Sequence, residues 1–357
     1  MLNKRVVKEI EMSAIKRMVV LLCCLLSVAA YFALLAAFVG AVQFWLFLNL
    51  PAGGGLQVRL VNIATGMNAM SIARLLESNG VIADARKFYA LATITKTGPK
   101  LQAGEYAFSP IATPRQILDQ IVHGRVVLHR VTVPEGSTVA EVAALLQQAG
   151  LAEAGTVIRL AQDRQFIESA TSLQTGSLEG YLFPETYHFS RTQDERAMLK
   201  SMVHQFWRHF PDEWQTRAQQ QGLTVKQVVI LASMVEKEAS VDAERPMIAA
   251  VFFNRLRLNM PLQSDPTAVY DLPGFSGAIT RQHLQRQSPY NTYQNRGLPV
   301  GPICNPGVKS IRAVLYPEEL PYLYFVSNND GTHRFSVTLE EHQRAIAGAH
   351  KKPNEQD

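Results

Sequence analysis

The chain opens with a short charged stretch and then loses its charges altogether. Between Arg17 and Arg59 there is no Asp, Glu, Lys or Arg, and Met18 to Leu50 is almost wholly apolar. Such a run exceeds the ~20 residues a membrane-spanning helix needs, and it is longer than the ~7–15-residue core of a cleaved signal. The pattern predicts a transmembrane helix over 18–48, preceded by a tail at 1–17. Pro51-Ala52-Gly53-Gly54-Gly55 reads as a short flexible exit from it.

Past this exit the pattern becomes amphipathic and repeats. VNIATGMNAMSIARLLESNG (Val61–Gly80) aligns with VTVPEGSTVAEVAALLQQAG (Val131–Gly150) at an offset of 70 residues. Each copy predicts a short strand, a Gly-containing turn, an amphipathic helix and a terminal Gly suited to a left-handed C-cap. In the second copy Ser137 or Thr138 can cap the helix, and Glu141 adds the carboxylate of a capping box. Two readings fit: one strand–helix unit used twice, or a pair of small carbohydrate-binding modules. Between the copies, Phe88 to Leu91 continues helical, Leu101 to Phe108 reads as turn and strand, and Thr113-Pro114-Arg115 opens a helix that runs to Val122.

From about Gly176 turn-rich motifs alternate with helices. One helix is predicted from Asp194 to Phe210, and another spans Ala243 to Leu258 with Asp242 as its N-cap and Pro246 in its first turn. Between them, Thr224 to Val235 places Val225, Val228, Val229, Leu231, Ala232 and Val235 at helical spacing, so one face should pack on a core. That helix ends in Glu236-Lys237-Glu238. At roughly 100° per residue the two glutamates fall on opposite flanks of the apolar face. A carboxyl beside an apolar surface can hold a proton at neutral pH, as an acid catalyst must. Met260 to Gly307 is long, irregular and dense in Pro, Gly, Asn and Gln, and its aromatics and Leu-Pro pairs predict an ordered wall. Leu323–Ser327 and His333–Val337, joined through Asn328-Asn329-Asp330-Gly331, predict a β-hairpin.

Charge and cysteine content sharpen this outline. Lys4, Arg5, Lys8, Lys16 and Arg17 outnumber Glu9 and Glu11 before the apolar run, so the tail holds three of the net +5 charges. By the positive-inside rule the N-terminus is cytoplasmic and the remainder exported. The basic pI therefore has a local cause and does not point to nucleic acid; no basic stripe with interleaved aromatics occurs. Cys23 and Cys24 lie in the apolar run, which leaves Cys304 as the single exported thiol. An intrachain disulfide is excluded there, and Gly301-Pro302-Ile303 with Asn305-Pro306-Gly307 frames Cys304 as a small filler of a tight turn. No HExxH, nucleophile elbow or phosphate loop is present, and the nine His residues show no metal-ligand spacing, so no metal or cofactor is expected.

Carboxylates are the remaining candidates for chemistry. Glu179, Glu185, Glu236, Glu238, Asp242, Glu244 and Asp265 all lie in the second half. Glu238 stands out because it ends an apolar helix just before a turn. Glu185 sits in the apolar context of Gly180 to Tyr187, and Asp265 precedes Pro266, where starting a turn is its default role.

Taken in order, Glu179-Gly180-Tyr181-Leu182-Phe183-Pro184-Glu185-Thr186-Tyr187, Ala232-Ser233-Met234-Val235-Glu236-Lys237-Glu238, Phe253-Asn254-Arg255-Leu256, Leu262-Gln263-Ser264-Asp265-Pro266-Thr267, Tyr290-Asn291-Thr292-Tyr293 and Gly297-Leu298-Pro299 with the two Cys304 flanks form a set. With this set the chain resembles the bacterial endolytic murein transglycosylases of the MltG (YceG-like) family, over about residues 58 to 345. The resemblance implies cleavage within peptidoglycan glycan strands at the MurNAc–GlcNAc β-1,4 bond, leaving 1,6-anhydro-MurNAc ends. It assigns the catalytic acid to the second glutamate of the E-K-E motif, here Glu238, and implies a LysM-type subdomain around the second repeat copy. Glu185, Tyr187, Gln263, Asp265, Tyr290, Asn291 and Tyr293 are then expected to line the substrate cleft. The expected fold class is α+β, ordered as tail (1–17), transmembrane helix (18–48), small α+β subdomain (56–127), LysM-like subdomain (128–170), mixed α+β catalytic domain (171–350) and disordered tail (351–357). The expected partners are glycan strands and the penicillin-binding synthases, at the inner membrane with the catalytic domain on the periplasmic side.

Overall fold

A computed structural model of the chain describes residues 4–51, 57–171 and 175–349. The exit at 52–55 and the tail at 351–357 lie outside the described residues. The chain divides at Val127/Leu128 into two compact units.

The first unit begins with helix α1 (Lys4–Asn49), which extends through most of the expected tail as well as the apolar run. Its apolar side chains face outward: Met18 is 67% and Leu34 72% exposed. Only the end of the helix is covered, where Leu48 enters the core of the unit and Phe44 and Phe47 pack on it; the rest, apolar on every side, suits lipid rather than water. The rest of the unit is β1 (Arg59–Ile63), α2 (Ala69–Ser78), α3 (Ala85–Ile94), β2 (Gly104–Phe108) and α4 (Pro114–Val122). β1 and β2 pair antiparallel with Val61 opposite Tyr106. Ile72, Leu76, Phe88, Ile117 and Ile121 complete a core around Tyr106 and Phe108, whose rings stack at 5.7 Å. Burying the Tyr106 ring leaves its hydroxyl to be satisfied, and it donates to the Gln102 carbonyl at 2.9 Å.

The second unit contains β3 (His129–Thr132), α5 (Val139–Gln148), α6 (Ala154–Leu160), α7 (Arg164–Thr171), β4 (Thr186–Phe189), α8 (Glu195–His209), α9 (Asp212–Gln220), α10 (Val225–Glu238), α11 (Arg245–Arg257), α12 (Arg281–Leu284), α13 (Val308–Leu315), β5 (Tyr324–Ser327), β6 (His333–Ser336) and α14 (Leu339–Ala349). The whole is mixed α+β. The expected boundary at 170 falls inside one continuous core. β3 pairs with β4, and Val131, Val142 and Leu146 share that core with Phe206, Val229 and Leu315. β5 and β6 form the expected hairpin, with Asn329 and Gly331 at positive φ in its turn.

The repeat is visible in the backbone. Asn68 caps α2 and Thr138 caps α5, the latter with Glu141 closing a capping box. Both helices end with a glycine at positive φ, Gly80 at +65° and Gly150 at +66°. The amide after each glycine returns to the helix in the same way, Val81 to Leu76 and Leu151 to Leu146. The buried pairs Val61/Val131, Ile63/Val133, Ala73/Ala143 and Leu76/Leu146 hold equivalent positions.

Two sequence expectations need correction. Asp242 does not cap α11: residues Asp242–Glu244 form a 3-10 turn first, and the Asp242 carboxylate is taken by Arg245 and Lys309. And α10 does not bury a single face. All residues from Val228 to Val235 are buried, because α11, α13 and the segment at 301–305 surround the helix. Its one polar residue there, Ser233, donates to the Ile230 carbonyl and accepts from the Ile303 amide, so it meets no water.

Candidate active site

Helix α10 is rigidly set before it reaches its glutamates. Thr224 and Gln227 form a capping box at its start. Farther along, Gly180 at φ +88° allows close approach: a Cβ there would stand 2.5 Å from Val229 Cγ1 and 2.7 Å from Pro302 Cγ. The helix therefore delivers its last turn from a packed core, on a rigid element.

The two glutamates of that turn have different surroundings. Glu236 is buried. Its Oε1 receives Arg245 Nη1 at 2.9 Å and its Oε2 receives the Gly307 amide at 2.9 Å. Arg245 is held in addition by Asp242 and by the Ser310 hydroxyl. Glu238 is half-buried, and among the described residues its one hydrogen-bond donor is Ser264 Oγ, 2.5 Å from Oε1. Burial pushes the Glu238 carboxyl up to about 7; the Ser264 hydrogen bond opposes this rise, and the Asp265 charge adds to it. So one glutamate is a fixed member of an ion-pair network, and the other has a raised carboxyl whose Oε2 no described residue engages.

Ser264 is placed by a strained turn. Gln263 has φ +53°, a left-handed conformation that costs a non-glycine residue roughly 1 kcal/mol or more. Behind it the Ser264 amide donates to Thr292 Oγ1 at 3.0 Å, and Thr267 Oγ1 donates to the Ser264 carbonyl at 2.6 Å. Asp265, exposed, accepts from the Tyr293 hydroxyl. Gln263, exposed, accepts from Arg255 Nη1 at 3.1 Å. Gln263, Asp265 and Tyr293 are thus gathered around Glu238 by the same irregular wall. Tyr290 is half-buried against Tyr270, with ring centroids 4.7 Å apart.

The other residues expected in the cleft are used differently. Asn291 is fully buried, and its amide nitrogen donates to the carbonyls of Leu284 and Arg286; it braces the wall from behind. Tyr187 is 6% exposed, stacks on Phe189 and donates to the Phe183 carbonyl at 2.6 Å, which makes it part of the β3–β4 core. Glu185 accepts from Gln205 Nε2 at 2.6 Å beside the same sheet. An aromatic or amide in a motif is equally useful as a brace, and the sequence pattern alone does not separate the two uses.

One residue, Ser264, goes unread in the sequence, and another, Glu179, is legible there only as one candidate carboxylate among seven. Ser264 sits between Gln263 and Asp265, and that position was the available signal. Glu179 is 3% exposed and accepts from the Val139 amide at 3.1 Å, Tyr270 at 2.8 Å and Asn305 Nδ2 at 3.3 Å. Burial drives its carboxyl up to about 7, against those hydrogen bonds. Enclosed by donors, Glu179 joins α5 to the 270 and 305 segments. Cys304 is also buried, with its thiol toward the Ser233 carbonyl at 3.3 Å, and burial pushes that thiol well up. Among the described residues no three His, Cys, Asp or Glu side chains converge as a metal-ligand set.

Known proteins carry the same arrangement of sequence. The family model described as "YceG-like family" matches residues 61–348. A Bacillus subtilis protein named endolytic murein transglycosylase is 31% identical over 300 residues, covering 80% of this chain and 83% of its own. A Streptococcus pneumoniae protein of the same name is 28% identical over 318 residues; the match covers 57% of that longer protein. The crystal structure of a YceG-like protein from Listeria monocytogenes aligns with a TM-score of 0.57 at 33% identity, covering 81% of this chain and 99% of that one. On the extent of these matches, this chain belongs to the YceG-like family.

Proposed function

We infer that this protein is a membrane-anchored endolytic murein transglycosylase with Glu238 as its acid catalyst. Relatives bearing that name support the activity. The observation that carries the residue assignment is the Glu238 carboxyl itself: half-open, lifted to about 7, with Oε1 held by Ser264 and Oε2 unengaged. Glu238 gives its proton from Oε2 to the glycosidic oxygen as the MurNAc–GlcNAc bond breaks, and positive charge develops at C1. Ser264 then stabilises the new carboxylate on Oε1. That carboxylate takes the proton from the C6 hydroxyl of the same MurNAc, whose oxygen closes on C1. The product is a 1,6-anhydro ring, the acid is restored, and no water enters the balance.

Gln263, Asp265, Tyr290 and Tyr293 are assigned to the walls that hold the glycan, since sugars need both ring faces and hydrogen-bonding groups. α1 anchors the chain, with the N-terminus in the cytoplasm and the second unit on the cell-wall side, as the flanking positive charges favour. An enzyme so placed meets strands as the penicillin-binding synthases extrude them. The βααβ order of the first unit (β1, α2, α3, β2), and its looser echo at 129–189, where three helices (α5, α6, α7) separate β3 from β4, support glycan binding of LysM type.

Mass spectrometry of sacculi digested by wild type and by Glu238→Gln tests the assignment. Anhydro-ended products from wild type alone are expected. Heavy oxygen from labelled water at the new MurNAc end would convert the reading to a water-adding muramidase.

A further inference from the structure

Beside the end of α10, on the side of Lys237, lies a cleft of about 500 Å³ within the second unit. Its walls are the 134–137 loop, the outer face of α5 and Lys237. Leu145 and Ala144 supply apolar surface, and Glu135, Glu141, Gln148 and Lys237 supply polar groups. No aromatic ring lines it, so it offers a sugar no stacking face.

Both Lys237 and Glu135 are exposed, and among the described residues neither makes a hydrogen bond or ion pair. The Glu135 carboxylate lies over Gly307: a Cβ at 307 would meet its Oε1 at 2.0 Å, so a side chain there would displace the carboxylate. Glu236 and Asp242 face it with like charge, and Arg245 and Lys309 with opposite charge. Burial, followed by the Glu236 charge, pushes the Glu135 carboxyl up. Glu141 uses Oε2 to cap α5 and has Oε1 to spare. Gly136, at φ +77°, would bring a Cβ to 4.0 Å from Lys237 Nζ, so the loop and the helix end are in contact. The cleft therefore offers one ammonium and two carboxylates over a small apolar floor, a lining that matches a peptide bearing both carboxylates and an amine.

The geometry points to this cleft as the subsite for the peptide stem of the substrate strand. The inference rests on the reading of Glu238 above. The stem hangs from the same MurNAc ring whose C1 reacts, so it must be housed close to the acid. Lys237 is the neighbour of Glu238 on the same helical turn, about 100° around the axis. A stem carboxylate pairs with Lys237, and the free amine of its diamino acid pairs with Glu135 and Glu141.

Full-length protein in detergent is assayed on uncross-linked glycan strands with stems intact and on the same strands stripped by an amidase. Wild type should show a lower KM on stem-bearing strands, and Glu135→Gln and Lys237→Met should each reduce that advantage by about fivefold. Equal KM on both strands for wild type, or an advantage that survives both substitutions, overturns the subsite. Calorimetric titration of free stem tripeptide into the Glu238→Gln protein reads the cleft without catalysis. Heat of binding that disappears with Lys237→Met supports the subsite, and absence of binding to Glu238→Gln overturns it. Binding without cleavage of either strand by wild type would sink the catalytic reading alone.

Discussion

Glu236 and Glu238 close the same helix two residues apart, and their surroundings are opposite. Glu236 faces Arg245 and the Gly307 amide, so both its oxygens are engaged by donors. Glu238 faces an irregular wall in which one serine hydroxyl reaches one oxygen. Identical side chains thus become an ion-paired anion and, on the proposed assignment, a proton donor through what the neighbouring segments present. Here α11 and α13 present a cation and a backbone amide, while the 262–293 wall presents a hydroxyl and a second carboxylate. Chemistry follows from which donors are withheld as much as from which are given.

The sharpest way to break this comparison is to exchange the effects. Glu238→Gln should lower the rate of strand cleavage by about 10³-fold while thermal stability holds or rises, because a buried acid is replaced by a neutral isostere. Glu236→Gln should do the reverse. It leaves Arg245 short of its buried partner and should cost about 3 kcal/mol in urea unfolding, with activity at low temperature largely kept. Should Glu236→Gln instead abolish cleavage in a fully folded protein, the roles are wrongly divided. A finer test uses pH. The Ser264 hydrogen bond lowers the Glu238 value and the Asp265 charge raises it. Ser264→Ala should therefore move the alkaline limb of kcat/KM upward from about 7, and Asp265→Asn should move it downward, each by about one unit or less. Shifts of the same sign would contradict the geometry. The smallest effect is on stability. Between the ordinary 4.5 and about 7, folded Glu238 and Glu179 retain protons that the unfolded chain has released. Stability should fall as pH rises through that window, and Glu238→Gln should flatten the slope in part.

Much of the second unit could be read from period and punctuation. Thr138 with Glu141 and the glycine at 150 act through local geometry, so sequence reveals them directly, as it does Gly80 in the first unit. Glu236 and Glu238 were symmetric on the helix for the same reason: their difference comes from Arg245, Gly307 and Ser264, brought in by tertiary packing. Burial of α10 on all sides was hidden too. Ser233 interrupts its polar flank without revealing that Ile303 and Cys304 cover it. Tyr187 and Asn291 show the converse, since residue types suited to a sugar were spent on carbonyls within the framework.

Asn305 gives the second unit a consequence in time. Its amide and side chain donate to the Ser137 carbonyl, its carbonyl receives Gly136, and its Oδ1 receives the Leu182 amide. β3 likewise waits for β4, some 54 residues downstream at Thr132–Thr186. A ribosome makes the chain from its N-terminus, so the contacts internal to the first unit can form once residue 127 is free. The second must hold its opening loop unpaired until residue 305 arrives, and its nucleus is built from distant contacts. The enzyme therefore acquires its glutamate in place only at the end of synthesis, long after the residues of α1 have been made.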